Sequence, residues 1–145
     1  SGMKGPLTMN LHFVWTILPL NDEQFGLLKS LIKENGIYLV SRENTGYDRI
    51  MKRHWQDAGG KVKIGVKDAV SNCDVISVGD YMINIYWDPA HLEKALKSTI
   101  NLKKESDLNY NQLYELISSQ TKIDFIVMKN KDAAENIRKK AMGYF

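Results

Sequence analysis

The spacing of apolar residues changes period several times along the chain, and each change marks an element. From Leu11 to Leu18 both alternating sets are largely apolar: Leu11, Phe13, Trp15 and Ile17 on one side, and Val14 and Leu18 with His12 and Thr16 on the other. That pattern predicts a strand covered on both faces, with His12 as a hydrogen-bonded interior or strand-end residue. Pro19 ends the run. Asn21, with Gln24 three residues later, predicts a capping box for a helix to Asn35 that turns Phe25, Leu28, Leu31 and Ile32 inward and stops at Gly36. Ile37 to Ser41 reads as a short buried strand. Together these residues predict a strand–helix–strand unit with parallel strands and a right-handed crossover.

A second capped helix follows from Thr45 to Ala58. Tyr47, Ile50, Met51, His54, Trp55 and Ala58 form its apolar stripe, Asp48 lies near the free amides of its first turn, and Asp48, Arg49, Lys52, Arg53 and Gln56 are expected to face away from the core. Beyond Gly59-Gly60, Val62, Ile64 and Val66 alternate with Lys61, Lys63, Gly65 and Lys67, which predicts an edge strand guarded by lysines. Val75 to Val78 and Tyr81 to Trp87 flank Gly79-Asp80 as a tight hairpin. Asp88-Pro89 starts a helix with Leu92, Ala95, Leu96 and Ile100 inside, and a shorter helix from Asn109 to Ser119 is expected to bury Tyr110, Leu113, Tyr114 and Ile117. Lys122 to Met128 reads as an apolar strand broken only by Asp124. The last helix runs from Asn130 to Ala141, with Ala134, Ile137 and Ala141 inward.

These elements predict a mixed α/β (α+β) fold. It has one mixed β-sheet with an N-terminal strand–helix–strand unit, an antiparallel hairpin near residues 75–87, and helices packed on the sheet. At 145 residues, with 43% hydrophobic and 26% charged, the chain has enough apolar surface for one globular domain over residues 3–145. Ser1-Gly2 ahead of Met3 reads as a cloning remnant. Cys73 is the one cysteine, so neither an intramolecular disulfide nor a multi-cysteine zinc site can form. With no signal-like apolar run at the start, that predicts a cytoplasmic location. No apolar run approaches the roughly 18–20 residues needed to span a bilayer, so no membrane partner is expected.

The net charge of +3 conceals a strong segregation: residues 42–67 carry a net +4, residues 68–128 a net −4, and residues 129–145 a net +3. A basic surface built from Arg49, Lys52, Arg53, Lys61, Lys63 and Lys67 follows from the first block, and opposed patches steer partners more than they stabilise folds. The connection after the first predicted strand, Pro19-Leu20-Asn21, lacks the glycines of a dinucleotide or Walker loop. The start of the Thr45 helix, opened by Gly46, is the one place where a small anion or nucleotide suggests itself. Histidines 12, 54 and 91 and Cys73 lack metal-ligand spacing, so neither metal nor cofactor is expected, and Cys73 reads as a small packed residue. The leading expectation is therefore a cofactor-free protein-binding domain, acting through its basic surface as an inhibitor or neutralising factor. The alternative is a nucleic-acid binder or metal-independent ribonuclease on helix 45–58, in which Arg49, Lys52 and Arg53 hold a phosphodiester and His54 transfers the proton.

Overall fold

The computed structural model describes residues 4–15, 21–99, 101–118 and 122–145. Its centre is the parallel pairing of β1 (Leu7–Leu11) with β2 (Ile37–Ser41), in register from Leu7 opposite Ile37 to Leu11 opposite Ser41. The crossover helix α1 (Asp22–Asn35) begins in the expected capping box, with Gln24 N–H donating to Asn21 Oδ1 at 2.8 Å. Helix α2 (Gly46–Asp57) then leads into β3 (Lys61–Lys63), parallel to β2. From there the sheet turns antiparallel through β4 (Asp74–Val78), β5 (Tyr81–Trp87) and β6 (Ile123–Lys129). Helix α3 (Pro89–Thr99), a 3-10 turn (Glu105–Asp107) and α4 (Tyr110–Ser118) link β5 to β6, and α5 (Lys131–Met142) ends the fold. The six strands are ordered β3-β2-β1-β4-β5-β6, one mixed sheet with helices packed against it.

The two faces of the sheet differ in chemistry. On one, Met9, Leu11, Leu39 and Val62 pack against Tyr47, Ile50 and Met51 of α2 to form the main apolar core. On the other, α5 lies over Val40, Thr8, Asn10 and Ser77. Its fully buried side chains are small, Ala134 and Ala141; Ser77 Oγ donates to the Ala134 carbonyl at 2.9 Å and accepts from Arg138 Nη1 at 3.0 Å.

Several expectations need correction. The first strand is Leu7–Leu11, not Leu11–Leu18; residues 12–15 are irregular and residues 16–20 lie outside the described residues. The chain leaves the sheet because side-chain carboxylates take its amides. His12 N–H donates to Asp74 and Val14 N–H to Asp48, both at 2.8 Å, in place of ladder partners. The lysine-guarded edge strand stops at Lys63, since Gly65 at φ +72° has left extended geometry and donates to the Glu43 carbonyl instead. Asp48 points inward and is fully buried, whereas Leu31 is exposed on α1 and Tyr110 and Tyr114 are exposed on α4. Ile100 and the side chains of Leu113 and Ile117 lie outside what the structure describes.

Gly46, at the start of α2, has a steric role. A Cβ there would overlap the Leu102 carbonyl, so the lack of a side chain lets the segment after α3 close over the helix start. No helix among the described residues is long and apolar enough to cross a membrane.

Candidate functional site

Three places combine chemistry with geometry. The first is the outer face of α2. Tyr47, Ile50, Met51 and Ala58 of the expected stripe are buried and Trp55 packs against the core, whereas His54 is half-buried at its edge; Arg49 and Arg53 project outward and Lys52 is half-buried beside them. Arg49 Nη1 donates to the Asn44 carbonyl at 2.9 Å and to Asn44 Oδ1 at 3.1 Å. His54 Nε2 lies 2.7 Å from Glu105 Oε1, and Arg53 Nη2 lies 4.0 Å from the other oxygen of the same carboxylate. Glu105 comes from the acidic middle segment of the chain, so folding sets a negative charge against this basic helix.

The six lysines and arginines expected on one surface are divided. Because Val62 faces α2, Lys61 and Lys63 face the α5 side. There Lys63 Nζ donates to the Tyr144 carbonyl at 2.9 Å, and Lys61 sits 5.1 Å from the centre of the Tyr38 ring, which Phe145 meets edge-on. Arg49, Lys52 and Arg53 stay together on α2, on the other side of the sheet, and Lys67 is exposed in the loop beyond β3. The basic C-terminal segment and β3 therefore meet, while the α2 cluster stands apart from them.

The second place is a polar junction at the end of the sheet where β1 finishes and β4 begins. Asp74 is 2% exposed and accepts from the backbone N–H of His12 at 2.8 Å and from Trp87 Nε1 at 2.8 Å; Trp15 Nε1 is further off at 3.5 Å. His12 Nδ1 lies 2.6 Å from Asp74 Oδ1, and since a carboxylate only accepts, this contact places a ring proton on Nδ1. The His91 ring stacks on Trp87, nearly parallel, with centroids 6.0 Å apart. Two of the three histidines are thus joined through Asp74 and Trp87, and the third, His54, is paired with Glu105.

A His–Asp pair of this geometry resembles the orienting half of a nucleophilic triad. Here, however, His12 is itself only 5% exposed and the carboxylate is engaged by several donors. The arrangement locks β1, β4 and β5 together. Neighbouring Cys73 is buried, and burial pushes its thiol pKa up against the opposing effect of a hydrogen bond with Tyr86, so it remains a neutral thiol. Sequence reading singled out neither Asp74 nor Trp87; the available signal was a lone acid at the head of an otherwise apolar strand.

The third place is β6. It is an edge strand, and its apolar side chains are open to solvent on both faces. Phe125 (61% exposed) and Val127 (63%) lie on the α2 side, opposite Ile85 and Ile83, and Ile126 (47%) and Met128 (36%) lie on the α5 side, opposite Asn84 and Met82. The expected apolar strand is present, but its apolar surface is not covered. Edge strands are usually blunted by charge, proline or a covering element, and between Phe125 and Met128 this one has neither charge nor proline.

Against this geometry, comparison of the chain with protein-family models, curated proteins and solved structures yields no match.

Proposed function

We propose that this chain is a protein-binding domain that accepts an extended strand at β6. The observation that carries the reading is the combination, on one edge, of backbone with no strand partner among the described residues and four consecutive apolar side chains open on both faces. Strand addition uses those features together, the main chain contributing affinity and alternate side chains selectivity. An exposed apolar surface rimmed by polar residues is otherwise an aggregation liability.

The α2 face with Arg49, Lys52 and Arg53 is a second contact surface suited to an acidic protein. It packs toward the β3 end of the sheet and β6 is the opposite edge, so the two surfaces can be occupied together. The action of an inhibitor or neutralising factor fits such a domain. The RNA-directed alternative has one observation in its favour, the carboxylate partner that orients His54.

A pull-down from source-cell lysate with and without nuclease, using the native chain, Val127→Lys, and a triple Arg49, Lys52 and Arg53→Glu variant, tests this reading. A stoichiometric protein that survives nuclease and is lost with Val127→Lys is expected, with the triple variant weakening any acidic partner. Capture unchanged by Val127→Lys removes β6 from the proposal. Recovery of nucleic acid alone, lost at raised salt and with the triple variant, overturns it in favour of RNA binding.

A further inference from the structure

We propose that the strand received by β6 is β6 of a second copy of this chain, paired antiparallel about a twofold axis through Ile126 so that two six-stranded sheets become one. The inference rests on the strand-addition reading above and adds the identity and register of the occupant.

The backbone directions of β6 come from its ladder with β5. Asn130 N–H donates to the Asp80 carbonyl at 2.9 Å, and successive pairs Met82–Met128, Asn84–Ile126 and Tyr86–Asp124 follow at intervals of two. In an antiparallel ladder, residues alternate between bonding one neighbour and the other. The even-numbered residues of β6 therefore bond β5, and Ile123, Phe125, Val127 and Lys129 turn their N–H and C=O groups to the free edge.

A twofold axis perpendicular to the sheet must keep each side chain on its own face, which restricts the axis to a residue position. With the axis on Ile126, Phe125 lies opposite Val127 of the other copy and Ile123 opposite Lys129, so all four outward-turned residues find partners. Moving the axis to Phe125 or Val127 leaves at least one of the four without a strand partner. The chosen register also sets apolar against apolar on both faces: Phe125 with Val127 on the α2 side, and Ile126 with its own copy on the α5 side. A foreign strand would have to be uncharged on both faces over the same four positions, a requirement that β6 itself meets.

Charge agrees with this direction. Asp124 and Lys129 lie on opposite faces of β6, and in this register Asp124 stands opposite Met128 and Lys129 opposite Ile123 of the other copy, so no like charges meet, whereas in-register parallel pairing would set each charged residue beside its own copy. One strand pair covers less than the roughly 1,200–2,000 Å² of a standard stable interface, so the dimer is a weak one, with dissociation on the order of micromolar or above.

Sedimentation equilibrium across a wide concentration range, with single-cysteine cross-linking, tests the inference on the full chain. The native protein should show a monomer–dimer equilibrium. In Val127→Pro an outward-turned N–H is lost while the bonds to β5 are retained, a position where proline is tolerated at a sheet edge; dimer affinity should fall by at least about tenfold. Val127→Lys should act in the same direction, and melting curves of both variants establish that they fold.

The register is read by cysteine position. In the proposed dimer Ile126 meets its own copy at a non-hydrogen-bonded pair, where Cα atoms are about 4.5 Å apart and a disulfide can close. Under mild oxidant Ile126→Cys should give covalent dimer and Met128→Cys should not; Cys73 is buried and serves as the internal background. A native chain that stays monomeric throughout overturns the inference. If Val127→Lys nevertheless abolishes protein capture in the pull-down, strand addition stands with a different occupant; if capture is unaffected, both readings fall. Cross-linking by Met128→Cys in preference to Ile126→Cys refutes this register.

Discussion

Replacement of Asp74 by alanine is expected to cost about 3–5 kcal/mol of folding stability, because it removes the acceptor of several buried donors at once. The substitution strands the His12 backbone N–H, the His12 ring N–H and the Trp87 indole N–H in a site that is 2% exposed. Each buried donor left without an acceptor carries its own desolvation penalty of about 1–3 kcal/mol. Against a typical total of about 5–15 kcal/mol, this removes a large share of the margin. Urea unfolding followed by tryptophan emission measures it, because Trp15 and Trp87 both border the carboxylate. Asp74→Asn keeps one accepting oxygen and should lose less. A loss below about 1 kcal/mol in Asp74→Ala would show that the junction is not what holds β1, β4 and β5 together.

Asp48→Ala should rank next, at about 2–4 kcal/mol, since it combines loss of a helix cap with stranding of a distant buried amide. Asp48 Oδ1 accepts from Val14 N–H at 2.8 Å, and Oδ2 accepts from Thr45 N–H at 2.9 Å and Thr45 Oγ1 at 2.7 Å. One carboxylate therefore closes the capping box of α2 and anchors the chain leaving β1. Asp48→Asn should also destabilise, because its amide nitrogen would face one set of donors with donors of its own.

The pH dependence of Asp48 has a definite sign. Burial, the largest influence, raises its pKa above the ordinary 3.8, and the bonds from Val14 and Thr45 only partly offset this. The folded chain thus holds this proton to higher pH than the unfolded one. The titration contributes stability in full below 3.8 and loses it as pH rises through the raised folded value. The stability difference between native protein and Asp48→Asn should accordingly be greatest in acid and shrink as pH rises through that window. A difference that instead grows with pH would mean that the hydrogen bonds outweigh burial.

Local rules were enough for much of the fold. Asn21 with Gln24 and Thr45 with Asp48 form their capping boxes because the relevant groups lie three residues apart and need no tertiary help. Gly79-Asp80 closes the β4–β5 hairpin for the same reason, as a two-residue turn between the paired residues Val78 and Tyr81 with Gly79 at positive φ. The stripe Tyr47, Ile50 and Met51 packs inward because helical spacing puts those residues on one side. His12 is buried and hydrogen-bonded, as its place among apolar neighbours implied.

The rest depended on partners distant in sequence. β1 begins at Leu7 because Thr8 and Asn10 face a polar layer beneath α5, with Asn10 Nδ2 donating to the Ala69 carbonyl; the alternation of Leu7, Met9 and Leu11 only has meaning once that layer exists. It ends at Leu11 because Asp74 and Asp48, 62 and 34 residues away from the amides they bind, arrive to take them. Residue periodicity reports which side of an element is apolar, and on that evidence Lys122 to Met128 was a strand. Whether a neighbour covers that surface is decided by strand order, and as the last strand in the sheet β6 has a neighbour on one edge alone. The sequence by itself thus determined the type and limits of the locally capped elements and the α/β class. The tertiary structure alone decided which carboxylates are buried, how the basic residues divide between the two sides of the sheet, and that an apolar strand stands open. Hydrogen-bond partners and coverage are set by contacts between distant segments, which local spacing does not encode.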